Sequence, residues 1–140
     1  SSKNGGLNKE PWVFTEEYTN VIRQTVRQRY VMAPYIYAMA RKGYDEALAL
    51  CRPMYYDYPE CQEAYDFRSQ YMFGDDIIFA PIVERGQTVK TVYIPDGEWI
   101  LTKDKKVYTK GTYEITANID EFIAFVRNGS DVIDCFNCDK

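Results

Sequence analysis

The sequence predicts an α+β chain in which a mostly helical stretch (residues 1–50) leads into an all-β antiparallel sandwich (residues 51–140). Three observations carry this. Apolar residues recur at spacings of three and four from Tyr18 to Ala40. Beyond residue 51, short runs rich in Tyr, Val and Ile alternate with glycine, proline and asparagine. Aromatics make up 16% of the chain, 13 of them tyrosine. Such rings suit half-buried sheet surfaces, where the ring packs and the hydroxyl finds a polar partner.

Residues 1–14, SSKNGGLNKEPWVF, read as a loop: small, polar and glycine-rich, closing on Pro11 and two aromatics. Thr15 is placed to cap a helix, with Glu16 and Glu17 in the first turn, where the helix dipole favours acids. The stripe Tyr18, Ile22, Val26, Tyr30, Ala33, Tyr37, Ala40 extends a helix over 15–42. Pro34 lacks a donor and crowds the preceding turn, so a kink or break is expected near Ala33. Gly43 ends the pattern, and YDEALAL (44–50) adds a short helical turn. Strands are expected at MYYDY, DIIFAPIV, TVKTVYI, EWILT, TYEIT and EFIAFV. Between them stand Pro59-Glu60, Gly74, Gly86, Pro95-Asp96-Gly97, Gly111 and Asn128-Gly129. In the third of these runs proline presets φ, aspartate caps the turn and glycine accepts positive φ. Spacing of this kind indicates a sandwich or small barrel.

Composition excludes several functions. A net charge of −4 gives no electrostatic footprint for nucleic acid. The cations Arg23, Arg27, Arg29, Arg41 and Lys42 share a helix with Glu16 and Glu17, which reads as a solvated or interface face. No apolar run approaches the roughly 18 residues of a membrane span. The chain has no histidine, which removes Ser-His-Asp and Cys-His catalysis and histidine-containing metal sites. Of the four cysteines, Cys135 and Cys138 have the spacing of half a zinc site, but Cys51 and Cys61 do not complete it. Neither a metal nor another cofactor is therefore expected, and a Cys51–Cys61 disulfide stays open. The start at Ser1, without methionine or signal-peptide pattern, reads as an excised piece whose localisation signal lies upstream.

The stretch QYMFGDDIIFAPIV (70–83) places Asp75 and Asp76 between a glycine and an apolar run. Paired carboxylates beside an apolar wall are used for acid/base chemistry. Neighbouring side chains on an extended segment, however, point to opposite faces, so these two would hardly converge on one bond. A turn leading into a buried strand is the better reading.

The order of several motifs resembles the end of a glycoside hydrolase family 31 enzyme, the family of α-glucosidases and α-xylosidases. The pieces are KEPWVF (9–14), RQRYVMAPYIYAMA (27–40), RPMYYDYPE (52–60), QYMFGDDIIFAPIV (70–83), VYIPDGEW (92–99) and EFIAFVRNGS (121–130). Each alone is weak; together they cover almost the whole chain in the family's order. Ile123 stands where the family usually has proline, a mild departure.

The resemblance implies that residues 1–50 carry the last loop and terminal helix of a (β/α)₈ barrel, and residues 51–140 the proximal C-terminal β-sandwich domain. It implies a retaining mechanism that uses two aspartates, which must stand about 5–5.5 Å apart across one sugar bond. In the family both precede the part matched here, as does a sugar-contacting histidine, so the chain is expected to hold no catalytic residue. Its partners would be the rest of the barrel and, in the full-length enzyme, an oligosaccharide or glycoside, with self-association of the isolated piece. Loops after barrel strands shape the active face, so Lys9 and Trp12 are the candidates for lining substrate. For Trp12 the alternative is packing against the terminal helix. Arg52 and Arg68 are expected to hold the β domain to the barrel, and Trp99 to fill the sandwich. Two rivals stand beside this reading: a carbohydrate-binding sandwich with exposed tyrosines as its platform, and a structural interaction module. Coplanar exposed aromatics would favour the first rival, and an apolar patch along helix 15–42 would favour docking.

Overall fold

The computed structural model describes residues 10, 13–84, 86–118 and 121–137. Its first part is a helix pair, α1 (Glu16–Val31) and α2 (Ala33–Glu46). Pro34 occupies the first turn of α2, where a missing N–H costs nothing, and the break falls at Met32. Thr15 stands at the N-cap of α1 as expected, but its side chain makes no capping hydrogen bond. Gly43 does not end the helix. The chain turns back four residues later, where Ala47 takes a left-handed conformation and Leu48 N–H bonds the Gly43 carbonyl.

The strands are β1 (Cys51–Pro53), β2 (Tyr71–Phe73), β3 (Ile77–Phe79), β4 (Val89–Ile94), β5 (Trp99–Leu101), β6 (Val107–Tyr108), β7 (Gly111–Thr116) and β8 (Ala124–Arg127). Six form one antiparallel sheet in the order β1-β2-β3-β8-β5-β6, and β4 pairs with β7 in a second. The Pro95-Asp96-Gly97 turn carries the chain from the second sheet back to the first.

The part after residue 51 is not purely β. MYYDY, expected as a strand, begins with helix α3 (Met54–Asp57), and α4 (Gln62–Asp66) follows. The reason lies in Arg52, whose Nε donates to Asp57 at 2.9 and 3.1 Å. A helical turn returns Asp57 to Arg52, whereas five extended residues would carry it about 16 Å away. The turn also points Met54 into the core. A 3₁₀ helix (Asp131–Phe136) closes the described chain.

Three layers result. The core between the two sheets gathers Met72, Ile78, Leu101, Phe125 and Trp99 from one and Val92, Ile94 and Ile115 from the other. On the opposite face of the larger sheet, Ile77 and Val126 pack with Met32 and Val132 beneath the helices. Register makes this division. Ile77 pairs with Val126 and faces the helices, while Ile78 pairs with Phe125 and faces the sandwich. Strands buried on both faces lose the polar alternation, which is why IIF and AFV read as continuous apolar runs.

Candidate functional site

Asp75 and Asp76 sit at the tip of the β2–β3 hairpin, and elements from across the chain converge there. Gly74 comes first, with φ +65°, and Tyr35 and Met39 of α2 lie directly over it. Tyr35 Oη donates to the Phe73 carbonyl at 2.8 Å and accepts from Asp76 N–H at 3.1 Å. Gly74 N–H donates to the Leu50 carbonyl at 2.7 Å, tying the tip to the segment after α2. Burial pushes the Tyr35 phenol up to about 12, so it stays a donor across the ordinary pH range.

The two carboxylates diverge. Asp75 accepts from Lys42 Nζ at 2.5 Å and from Arg52 Nη2 at 3.0 Å. Asp76 accepts from Ser130 Oγ at 3.0 Å and lies 3.4 Å from Arg127 Nε. Arg52 is buried, and besides Asp57 and Asp75 it donates to the carbonyls of Ala49 and Gly74 at 3.0 and 3.1 Å. Arg127 donates to the Asp75 carbonyl at 3.1 Å and lays its guanidinium 4.5 Å from the Trp99 ring centre. Each acid is held by cations or donors and does not share a proton with the other. The arrangement joins elements and offers no acid/base pair for a sugar bond.

Burial alone would raise Asp75, but the hydrogen bonds from Lys42 and Arg52, with their charges, outweigh it and hold the carboxyl below its ordinary value. A carboxyl lowered by folding stabilises the native state above its unfolded pKa, and that contribution is lost as pH falls through the native value. Lys42 is raised by the same bond, so its share is lost only in alkali. The remaining charges around the tip are Glu46 beside Lys42, Asp57 on Arg52, and the Asp76–Arg127 pair. The urea midpoint should therefore fall between about pH 5 and pH 3, more steeply than in Asp75→Asn. Parallel pH profiles for the two proteins would show that Asp75 is not what titrates.

The other sequence-derived candidates fare differently. Lys9 and Trp12 lie outside the described residues, as does Cys138 of the C-F-N-C pair. Arg68 is exposed and has no side-chain partner among the described residues. Cys51 and Cys61 are free thiols. No group of three or more possible metal ligands occurs among the described residues, and no helix there is long and apolar enough to cross a membrane. Sequence reasoning missed Tyr35, Lys42, Arg127 and Ser130 as partners of the acids. The one local hint was RNGS directly after an apolar strand, a turn able to bring Arg127 and Ser130 to one side.

Beside the tip, the helices leave an open groove of about 510 Å³ over the larger sheet, lined by Met32, Ile36, Leu50, Phe73, Phe79 and Phe122. Tyr30 and Tyr37 of the apolar stripe, with Tyr44 beyond it, face away from the sheet and are 75%, 76% and 83% exposed. The face that meets the sheet is instead Met32, Tyr35, Ile36 and Met39.

The model of the glycosyl hydrolase family 31 C-terminal domain matches residues 47–132, more than half of the chain. This chain belongs to glycosyl hydrolase family 31. The family's TIM-barrel domain matches residues 1–39, so the family 31 chain runs from the end of one domain into the next. It is 35% identical over 124 residues to the α-xylosidase of Saccharolobus solfataricus, covering 87% of the chain and 17% of that protein. To α-glucosidase 2 of Bacillus thermoamyloliquefaciens it is 28% identical over 127 residues, covering 90% and 16%. Among solved structures, a family 31 α-xylosidase from a soil metagenome, complexed with xylose, superposes with a TM-score of 0.88 at 27% identity. That match covers 94% of this chain and 20% of the other. The family 31 chain thus spans less than a fifth of the curated relatives named here.

Proposed function

We propose that this chain is the C-terminal segment of a retaining α-glycosidase, an α-glucosidase or α-xylosidase, and supports the catalytic barrel without carrying its aspartates. Residues 1–50 supply the barrel's last loop and closing helices, and residues 51–140 the β domain that braces them. Lys9 and Trp12, on that last loop, are the residues proposed to approach the sugar. The observation that carries this reading is the outward apolar face of α1–α2. Three tyrosines at least three-quarters exposed, Tyr30 on α1 and Tyr37 and Tyr44 on α2, ask for a covering surface. The names of the relatives, α-xylosidase and α-glucosidase, support the substrate class.

The test is direct. The purified chain should release no aryl alcohol from an aryl α-glucoside or α-xyloside. It should also bind a hydrophobic dye or self-associate, both reversed by replacing Tyr30, Tyr37 and Tyr44 with serine. Turnover that survives a mock purification, or a strict monomer that ignores the dye, would overturn the proposal. One observation favours a carbohydrate-binding module as second reading: Tyr55 and Tyr65 are exposed and stacked, 5.2 Å apart at 10°. Each ring covers one face of the other, which halves the platform available to a pyranose. Titration with maltooligosaccharides separates the two readings, since the module binds them and the bracing segment does not.

A further inference from the structure

The two faces of the larger sheet are sealed very unequally. Toward the second sheet lies a closed core that includes fully buried Trp99, Phe125, Ile78, Met72 and Met54. Toward the helices, neither α1 nor α2 contributes a buried side chain; Met32, at the break between them, is buried but still 5% exposed. The groove lies open between helix and sheet. With so little apolar area removed from water, the helix pair has a weak hydrophobic hold on the β layers.

What it has instead is polar and concentrated at one place. Lys42 reaches Asp75, and Tyr35 clasps the backbone on both sides of the Gly74–Asp75 turn, from the Phe73 carbonyl to the Asp76 N–H. Away from the tip, Gln28 donates to the Cys135 carbonyl at 2.9 Å. The hairpin side of the catch is also held from the β layers. Arg52 grips Asp75 from the β1 side, and Arg127 and Ser130 grip Asp76 from the β8 side, contacts that do not involve the helices.

We infer that the Gly74–Asp76 tip is a latch, and that α1–α2 releases from the β layers as one unit while the sandwich beneath stays folded. Lys42 and Tyr35 are the bolts and Asp75 with the adjoining backbone is the keeper. Regions with little buried apolar area open with free energies well below that of global unfolding, and a few polar bonds then set that opening. The latch is a property of this chain and stands whether or not the proposed enzymatic role does. If that role holds, the same tip is the joint between barrel and β domain.

Hydrogen–deuterium exchange of the whole chain at neutral pH, resolved by peptide, tests it. Asp75→Asn and Lys42→Met should each accelerate exchange in α1 and α2 by roughly 2- to 5-fold, the size expected for losing a partly exposed ion pair. The amides of β4 and β7 should keep their protection. The double variant should accelerate the helices by less than the product of the single effects, because both changes break one bond. Tyr35→Phe keeps the ring and removes only the hydroxyl, so it reads the second bolt in a protein that still packs. It too should speed the helices alone. Acceleration of helices and β4–β7 together, no acceleration in any variant, or full multiplicativity in the double variant would each overturn the latch.

Discussion

Alanine at Gly74 is expected to lower the stability of the chain by roughly 2–5 kcal/mol, from two costs that add. Gly74 has φ +65°, which a residue with a Cβ adopts at a cost of about 1–2 kcal/mol. The new methyl would also stand 2.3 Å from Tyr35 Oη and 2.6 Å from Met39 Cγ. The Tyr35 and Met39 side chains must then move aside, and the Tyr35 hydroxyl loses both of its backbone partners. Gly129→Ala is the control: its φ is +88°, yet nothing lies within 4 Å of its would-be Cβ, so only the backbone cost applies. Urea unfolding of both variants checks this. Equal losses at the two glycines would show that the close approach of α2 contributes nothing.

Trp99→Ala should cost a further class of energy, about 3–5 kcal/mol, because a large ring leaves a closed core. Trp99 is completely buried between the sheets, beneath the Arg127 guanidinium. A loss of that size approaches the whole stability of an ordinary domain, so much of the purified variant should be unfolded at 37 °C. Trp99→Phe offers the contrast. The indole Nε1–H has no hydrogen-bond partner among the described residues, so phenylalanine gives up apolar contact but no bond. Its loss should stay under about 2 kcal/mol. Thermal melts followed by far-UV circular dichroism separate the two. A phenylalanine variant as damaged as the alanine one would mean that the nitrogen has a partner after all.

How far the sequence could be read depends on the range of the interaction. The helices and their break at Pro34 were legible because periodicity and proline act within a few residues. Strands β3 to β5, β7 and β8 were legible because turn residues bracket them. β1, β2 and β6 were not expected, and MYYDY misled because aromatic content outweighed the demand of Arg52 for Asp57. The stripe at Tyr30 and Tyr37 was correctly periodic, but period does not say which partner covers it, and it faces away from the sheet. At the tip, divergence of Asp75 and Asp76 followed from alternation along an extended chain. Their partners did not: Lys42 stands 33 residues from Asp75 and Ser130 stands 54 from Asp76, distances that only the tertiary fold closes.

Strand β8 lies at the centre of the larger sheet, between β3 and β5, although it comes after every other described strand in the chain. Until it arrives, β1-β2-β3 and β5-β6 are two separate ribbons, each with an unpaired edge. A growing polypeptide therefore cannot close this sheet until Ala124–Arg127 has been made. Residues 51–127 must all leave the ribosome first, and during that wait the edges of β3 and β5 are open to strands of other nascent chains. Premature termination before Ala124 would leave both ribbons permanently unjoined. Slow translation between Leu101 and Ala124 lengthens that exposure.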